Sequence, residues 1–490
     1  MKILWIVAAR GEAQLAIGAT QLLRSRGIAV EFASEFPSTV RFLRDNAWPV
    51  VAIHEQLSPA SSFDDESIAQ LDRDIPDPGI HLLAYGQARA QRHDDAARLY
   101  VEVAQQIDFW RKRFREQRPD VVISWQSASL STRAPVSVAR ALGVRTLIFV
   151  NGPSFSRSAI ADIDESENWS SLVERVARTK DFHLDESQRA IAEAHVREIS
   201  ELHGRFRPRE TPLWPSGLIR PMLGRAVKTL LGRPGERVSW QVTRVQWTQH
   251  WERVFWLMRL KAGMLPYQPM QTTESYVYFP MQNQADVKLT GRNPIYADQV
   301  SLAEHIAVSM RPGLMLYVRE HPNHPGTYDL ARLKKLACRR NIKIVHPYES
   351  NIALIRHAAA VVCVNSTAGW EAYVNQVPTV VLGNPFFRRS RLVHGVDNLN
   401  ELSRTIRRAV DEGKKRYREH QDEWLWFVWA ALDTCPEGYS FGYKKIFGVI
   451  PKQDMNENGR KLGLALLDRL IGDDRQGAPA TASDTTGGAK

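Results

Sequence analysis

The sequence contains few of the features that mark secreted, disulfide-bonded or membrane-spanning proteins. Its three cysteines, Cys338, Cys363 and Cys435, lie far apart and form neither a disulfide framework nor a pair with metal-ligand spacing. No apolar run approaches the roughly 20 residues of a transmembrane helix. The apolar stretch that follows Met1 is too short for a signal peptide and is better explained as a first strand. We therefore expect a cytoplasmic protein.

Several catalytic motifs are also missing. The chain has no HExxH, GxSxG or Walker motif and no GxGxxG fingerprint. A zinc protease, a serine hydrolase and a P-loop NTPase are thereby disfavoured. The sequence predicts no bound metal ion and no tightly held cofactor.

The order of apolar runs predicts two α/β domains. In the first 150 residues, short runs rich in β-branched residues alternate with amphipathic helical patterns, and a second alternation starts at Tyr276. Such alternation is typical of doubly wound parallel sheets. We predict a Rossmann-like domain over 1–200, a basic Trp-rich helical linker over 201–270, and a second Rossmann-like domain with C-terminal helices over 271–472. The composition of 473–490 predicts a disordered tail.

The positive charge is concentrated in one segment. The whole chain carries a net charge of +11, and residues 205–261 contain twelve Lys and Arg, three Asp and Glu, and five tryptophans, so this segment carries +9. Such a segment is compatible with a solvated helical linker, with an anionic membrane surface or with nucleic acid. We rank these in that order and expect no nucleic-acid partner.

Polar side chains cluster where the strands of the second domain are predicted to end. Ligands of open α/β sheets bind at this carboxyl edge. The candidates follow three predicted strands and are Gln282, Asp286, Arg319, His321, Pro322, Asn365, Ser366, Thr367, Gly369 and Glu371.

The segment Ser366–Gly369 is predicted to lie where a strand ends and a helix begins. A helix N-terminus offers unpaired N–H groups and partial positive charge, so hydroxyls and a glycine there would let an anion approach the backbone. His321 would bond the same phosphate. The alternative is that Ser366 or Thr367 only caps the helix. Asp286 likewise has two alternative roles: it either caps a helix or acts as a nucleophile or base.

Three blocks of this region resemble the capsule polysaccharide biosynthesis family, which includes retaining Kdo transferases. They are YFPMQNQAD, YVREHPNHPG and VNSTAGWEAYVNQVPTVVLGNPFF, in this order across about 276–387. The resemblance implies a GT-B-like glycosyltransferase with two Rossmann-like domains facing a cleft. It further implies a nucleotide-sugar donor, with CMP-Kdo as the candidate, and a glycan or glycolipid acceptor at the cytoplasmic face of the inner membrane.

The resemblance also implies residue roles. Ser366, Thr367 and His321 would hold the nucleotide phosphate, Glu371 would reach the ribose, and Asp286 would lie beside the anomeric carbon. The remaining edge residues would line the nucleotide site. The acceptor side would contain Gly11, Glu12, Asn151, Asp164 and Asn168. Asn151 departs from the family, which often has a glutamate here, and an amide cannot act as a carboxylate acid or base.

The sequence thus predicts a metal-independent glycosyltransferase of capsule or O-antigen assembly. Two alternatives stay open. One is a nucleotide-sugar epimerase or polyol-phosphate transferase of the same fold. The other is a non-catalytic nucleotide-sugar-binding subunit of a polysaccharide assembly complex.

Overall fold

The structure is a computed structural model. It describes residues 1–57, 63–75, 79–91, 96–125, 129–154, 157–161, 169–205, 223, 240–438 and 452–472. The chain forms two β-sheets, and each sheet has helices on both faces. The predicted fold class, two doubly wound α/β domains, is confirmed. The predicted tail over 473–490 lies outside the described residues.

The first sheet has six strands in the spatial order β3-β2-β1-β4-β5-β6, and only β6 is antiparallel to its neighbour. The strands are β1 (Lys2–Ile6), β2 (Ala29–Ser34), β3 (Val50–Ala52), β4 (Val121–Trp125), β5 (Arg145–Asn151) and β6 (Ser158–Ala161). The helices between them are α1 (Arg10–Ser25), α2 (Pro37–Asp45), α3 (Ile53–Gln56), α4 (Asp65–Asp74), α5 (Ile80–Gln91), α6 (Ala96–Glu116) and α7 (Leu130–Ala141).

In the described part of the chain between the two sheets lie the helices α8 (Ser170–Arg178), α9 (Glu186–Arg205) and α10 (Trp240–Lys261). The helix α10 belongs to the basic segment and confirms its predicted helical character over these residues. Nothing described in the chain meets the length and hydropathy that a membrane-spanning helix requires.

The second sheet has seven strands, all paired in parallel, in the order β13-β12-β11-β8-β9-β10-β7. They are β7 (Tyr267–Gln268), β8 (Tyr276–Pro280), β9 (Met315–Arg319), β10 (Ile342–Val345), β11 (Ala360–Cys363), β12 (Thr379–Val381) and β13 (His394–Gly395). The helices are α11 (Val287–Thr290), α12 (Gln299–Ser309), α13 (Leu330–Ala337), α14 (Asn351–His357), α15 (Thr367–Val374), α16 (Leu402–Glu412), α17 (Lys415–Glu419), α18 (Gln421–Asp433) and α19 (Lys452–Gly472).

Successive side chains of β8 pack into two hydrophobic cores, one on each face of the second sheet. Val277 and Phe279 pack with the helices α12, α13 and α16, whereas Tyr276 and Tyr278 pack with α14 and α15 on the other face. A strand that is apolar on both faces needs cover on both, because successive side chains point to opposite sides of a sheet. This packing explains why β8 lies in the interior of the sheet.

Two pairs of helices far apart in the chain link the two domains. The helix α9 packs against α18, and the last described helix, α19, packs against α1 of the first domain. Backbones approach closely there, because a Cβ on Gly18 would lie only 2.7 Å from the carbonyl oxygen of Asn456. The sequence analysis grouped α19 with the second domain, whereas its apolar face completes the core of the first.

The carboxyl edges of the two sheets face each other. The Trp370 indole in α15 donates to the carbonyl oxygen of Pro153, just after β5, at 3.1 Å. Trp169 stacks on Phe386, which follows β12, with ring centroids 4.0 Å apart. The carboxyl ends of strands in both domains therefore lie near the contact between the domains.

Candidate functional site

Three adjacent parallel strands place the predicted phosphate groups at one edge. The strand β8 lies between β9 and β11, and neighbouring strands are about 4.8 Å apart, so the ends of β9 and β11 are separated by roughly 10 Å. His321 follows β9, Asp286 follows β8 and Ser366 follows β11. Their assembly at one edge agrees with the sequence prediction, although their roles remain predictions.

His321 is a neutral hydrogen-bond donor in this site. Its Nδ1 accepts from the backbone N–H of Asn323 at 3.3 Å, which leaves the proton of the neutral ring on Nε2. Burial, followed by the nearby His324 and Arg319, lowers the pKa of His321 to about 3. The ring can therefore offer an N–H to a phosphate oxygen without carrying a charge.

Arg319 supplies a positive charge at the same edge. Arg319 is 8% exposed, and its guanidinium donates from Nη1 to the carbonyl oxygen of Glu349 at 2.9 Å. Among the described residues, Nε has no hydrogen-bond partner and no carboxylate forms an ion pair with Arg319. A buried charge without a counter-ion is costly, so an anionic ligand here would stabilise it.

A buried hydrogen-bond network holds the loop that contains His321. Glu320 is fully buried and accepts from the Tyr267 hydroxyl and from the backbone N–H of Gly326 at 3.1 Å. Tyr267 in turn accepts from the Trp256 indole at 2.8 Å. Burial raises the pKa of Glu320. Gly326 has φ +75°, and a Cβ there would lie 2.7 Å from the Cβ of Trp256. The loop is therefore rigidly held by the Trp-rich helix.

Ser366 caps a helix in the structure, and its predicted bond to phosphate stays a prediction. Its side chain caps α15, because Oγ accepts from the N–H of Ala368 at 3.2 Å, so the capping interpretation holds. Thr367 is exposed at the start of the same helix. Gly369 also has a packing reason, since a Cβ there would clash with the Cys363 sulfur and would lie 2.7 Å from the Phe387 ring, and its place in a phosphate site stays a prediction. This glycine permits the helix to pack on the strand.

Gln282 and Lys288 tie β8 to β11. The side-chain oxygen of Gln282 accepts from the N–H of Asn365 at 3.2 Å, and the Lys288 ammonium donates to the carbonyl oxygen of Asn365 at 3.4 Å. The Asn365 side chain is 1% exposed and has no partner among the described residues. Lys288 was missed in the sequence, although its position two residues after Asp286 was a signal.

Asp286 acts as a cap in this structure. Its Oδ1 accepts from the N–H of Lys288 at 3.0 Å, which starts the short helix α11. The carboxylate is half-buried and lies beside Lys288 at the edge. The cap and a chemical role are compatible, because the second carboxylate oxygen is not used by this bond.

Glu371 is held in a buried polar network. It is 4% exposed and accepts from the side-chain amide of Asn351, whose oxygen accepts from the Tyr278 hydroxyl at 2.7 Å. The predicted contact with ribose is thus limited to the small part of this carboxylate that is exposed. Pro322 follows His321 in the loop and is half-buried.

The carboxyl edge of the first sheet holds two half-buried carboxyl groups, Glu12 and Glu35. Glu12 follows Gly11 at the start of α1, and its Oε2 accepts from the N–H of Ala8 at 2.7 Å. Burial raises the pKa of Glu12 to about 7. Burial also raises the pKa of Glu35, which is not among the residues predicted from the sequence although it follows β2 directly.

The other acceptor-side candidates are less well placed. Asn151 is exposed at the end of β5, where it pairs with Ser158. Asp164 and Asn168 lie outside the described residues. Within the described ranges, no three His, Cys, Asp or Glu side chains are grouped as metal ligands.

The fold and this edge define a two-domain α/β protein with polar and basic side chains gathered at the carboxyl edge of the second sheet. Residues 261–405 match the family model described as "Capsule polysaccharide biosynthesis protein". The match covers all three sequence blocks up to Phe387 and confirms the resemblance to this family over that region.

Comparison with solved structures gives distant likenesses. The β-Kdo 2,7 transferase of KpsC from Thermosulfurimonas dismutans is 12% identical, over 62% of this chain and 85% of that chain, with a TM-score of 0.33. The UDP-GlcNAc 2-epimerase of Methanocaldococcus jannaschii is 11% identical, over 97% and 100%, with a TM-score of 0.29. Likenesses at this level carry no argument about function. No curated protein sequence matches the chain.

Proposed function

We propose that the protein is a glycosyltransferase of capsule or O-antigen biosynthesis that moves a sugar from a nucleotide-sugar donor to a glycan or glycolipid acceptor. The candidate donor is CMP-Kdo. The family match over 261–405 supports the class of pathway. The buried Arg319 and the hydrogen-bonding groups at the carboxyl edge of the second sheet support a donor whose leaving group is a nucleotide phosphate.

The observation that carries the proposal is Arg319, a buried guanidinium without a carboxylate partner among the described residues. It lies at the same edge as the neutral donor His321 and the start of α15, and it lowers the pKa of that histidine. A nucleotide phosphate gains negative charge as its bond to the sugar breaks. Fixed donors and cations at this point stabilise that charge and lower the barrier.

Two carboxyl groups are proposed for the chemistry. Asp286, at the second-domain edge, would act on the anomeric carbon as nucleophile or would serve as a general base. Glu12, whose pKa is raised to about 7 by burial, would exchange the acceptor proton from the opposite edge. It would thereby supply the acid–base group that Asn151 cannot provide.

Nucleotide binding tests the proposal directly. We expect CMP or UDP to bind by isothermal calorimetry, with the same affinity after addition of a chelator. Arg319→Met should weaken binding by about 10- to 100-fold, since a hydrogen bond to a charged group contributes about 1.5–3 kcal/mol. The control is Lys415→Met, which removes an exposed lysine from α17. Absence of binding by both nucleotides at millimolar concentration would remove the basis of the proposal.

Turnover then separates the alternatives. A transferase releases nucleotide only in the presence of an acceptor and forms a glycosylated product. An epimerase converts the nucleotide sugar to an isomer without an acceptor. A non-catalytic subunit binds the nucleotide sugar, leaves it intact in both assays, and still complements a capsule- or O-antigen-deficient strain when Asp286 is replaced by alanine.

A further inference from the structure

The helix α10 (Trp240–Lys261) has two different apolar faces. On one, Val254, Trp256 and Leu257 are between 1% and 5% exposed. Trp256 contacts Gly326 and donates to Tyr267, so this face supports the His321 loop. Tertiary packing in the second domain therefore accounts for this side of the helix.

On the other face, three large apolar side chains are open to solvent. Trp251, Phe255 and Met258 are 40%, 49% and 52% exposed. Their spacing of four and three residues places them in one row along the helix. The rings of Trp251 and Phe255 have centroids 5.8 Å apart. We call these three residues the apolar row.

Positive charge borders the apolar row. Arg259 lies four residues after Phe255, and Lys261 lies three residues after Met258, which makes each a neighbour on the helix surface. Both are exposed. They belong to the segment 205–261, whose net charge of +9 accounts for most of the chain's +11.

We propose that the apolar row and its basic border dock the protein on an anionic lipid bilayer. Aromatic and methionine side chains would enter the interfacial region, while Arg259 and Lys261 would contact the negatively charged headgroups. The His321 loop, supported by the opposite face of the same helix, would then lie on the order of one helix diameter, about 10 Å, from the membrane.

Size and charge favour a bilayer over a second copy of the chain. The row exposes about half of three side chains of roughly 200 Å² each, or about 300 Å², whereas a stable protein interface buries about 800 Å² per partner. Two copies meeting at this helix would also bring the positive charges of Arg259 and Lys261 on each copy together. Single-stranded nucleic acid prefers a basic groove lined by aromatic rings, whereas this row lies on a convex helix and includes a methionine.

Vesicle flotation with the full-length protein tests the inference independently of any transferase activity. We expect binding to phosphatidylcholine vesicles that contain about one third phosphatidylglycerol, and weaker binding at high salt because the charge attraction is screened. The triple variant Trp251→Ser, Phe255→Ser, Met258→Ser should bind at least tenfold more weakly. Burial of about 60 Å² of apolar surface already corresponds to a tenfold change in an equilibrium constant.

A matched control separates this row from general surface hydrophobicity. Ile295 and Val308 are 76% and 77% exposed elsewhere in the second domain. The variant Ile295→Ser, Val308→Ser should bind vesicles like the wild type. Arg259→Gln should weaken binding about fivefold at low salt and less at high salt, because each basic residue near the surface contributes about 1 kcal/mol.

Four results would overturn the inference. They are no binding to anionic vesicles, wild-type binding by the folded triple variant, concentration-dependent dimers that the triple variant abolishes, and binding of a single-stranded oligonucleotide that is stronger than vesicle binding and depends on the row. Circular dichroism melting establishes that the variants are folded. Loss of nucleotide binding, in contrast, would affect only the proposed function.

Discussion

His321 should act as an uncharged hydrogen-bond donor across the physiological pH range. With a pKa of about 3, roughly 1% of the ring carries a proton at pH 5, whereas a histidine with the ordinary pKa of 6.5 would be about 97% protonated. Selective ¹³C labelling of histidine and an NMR titration measure this directly. The resonance that disappears in His321→Gln should not move between pH 8 and pH 5. In denaturant it should titrate near pH 6.5.

The substitution series should reflect the same chemistry. Glutamine places an N–H near the position of the histidine Nε2 but cannot become charged. We expect His321→Ala to lower kcat by about 100- to 1,000-fold, the usual loss when one donor to developing charge is removed. His321→Gln should retain at least part of this activity. If glutamine were as inactive as alanine, or if activity followed an ionisation near pH 6.5 that the variants lack, the neutral-donor interpretation would be wrong.

The pKa of His321 also has a consequence for stability. Because the folded-state pKa lies below the unfolded value, the unfolded chain binds an extra proton between about pH 6.5 and pH 3, so stability falls as the pH is lowered through this range. The loss between pH 7 and pH 5 should be at most about 2 kcal/mol. Urea unfolding at both pH values, compared between the wild type and His321→Gln, measures this term by difference. An equal pH dependence in the two proteins would refute it.

Two further substitutions test neighbouring parts of the site. Asp286→Asn keeps a side chain that can cap α11, so the free energy of unfolding should stay within about 0.5 kcal/mol, while sugar transfer should fall by at least about 1,000-fold if the carboxylate is nucleophile or base. Asp329→Asn, at the N-cap of α13, is the control and should leave transfer unchanged. Gly326→Ala should lower stability by about 1–3 kcal/mol in thermal unfolding, because the new Cβ meets Trp256 at φ +75°. Gly313→Ala, at φ +87° with nothing within 4 Å, should cost less because it adds strain without a clash, and equal losses would exclude the contact with Trp256 as the cause.

The sequence alone determined most strands and the edge where the candidate residues meet. Runs such as AVEFAS, VVISW and YVYFP became the strands β2, β4 and β8 with the predicted bounds. Parallel strands in consecutive βα units end on the same side of the sheet. The positions of His321 and Ser366 near one edge therefore follow from local pattern and chain order.

Only the tertiary structure decided what individual side chains do there. Gly369 and Ser366 occur in the same short motif, yet one faces a thiol and an aromatic ring and the other caps a helix. Burial lowers the pKa of His321 and keeps its ring neutral. Arg319 is buried without a carboxylate partner among the described residues, which makes it a candidate to bind an anion. Solvation and partners at long sequence separation set these properties, and hydrophobic periodicity contains no information about them.

The same distinction applies to the Trp-rich segment and the last helix. The sequence shows the charge and the tryptophans of the segment. It does not show which side of the helix faces solvent, so it is compatible with a linker, a membrane-binding segment or a nucleic-acid-binding segment. The fold buries Trp256 against the second domain and leaves Trp251 in solvent. It also packs Lys452–Gly472 on the first domain, a contact between segments more than 400 residues apart in the chain. Such contacts depend on which apolar faces remain uncovered after both sheets have formed, and only the assembled structure shows this.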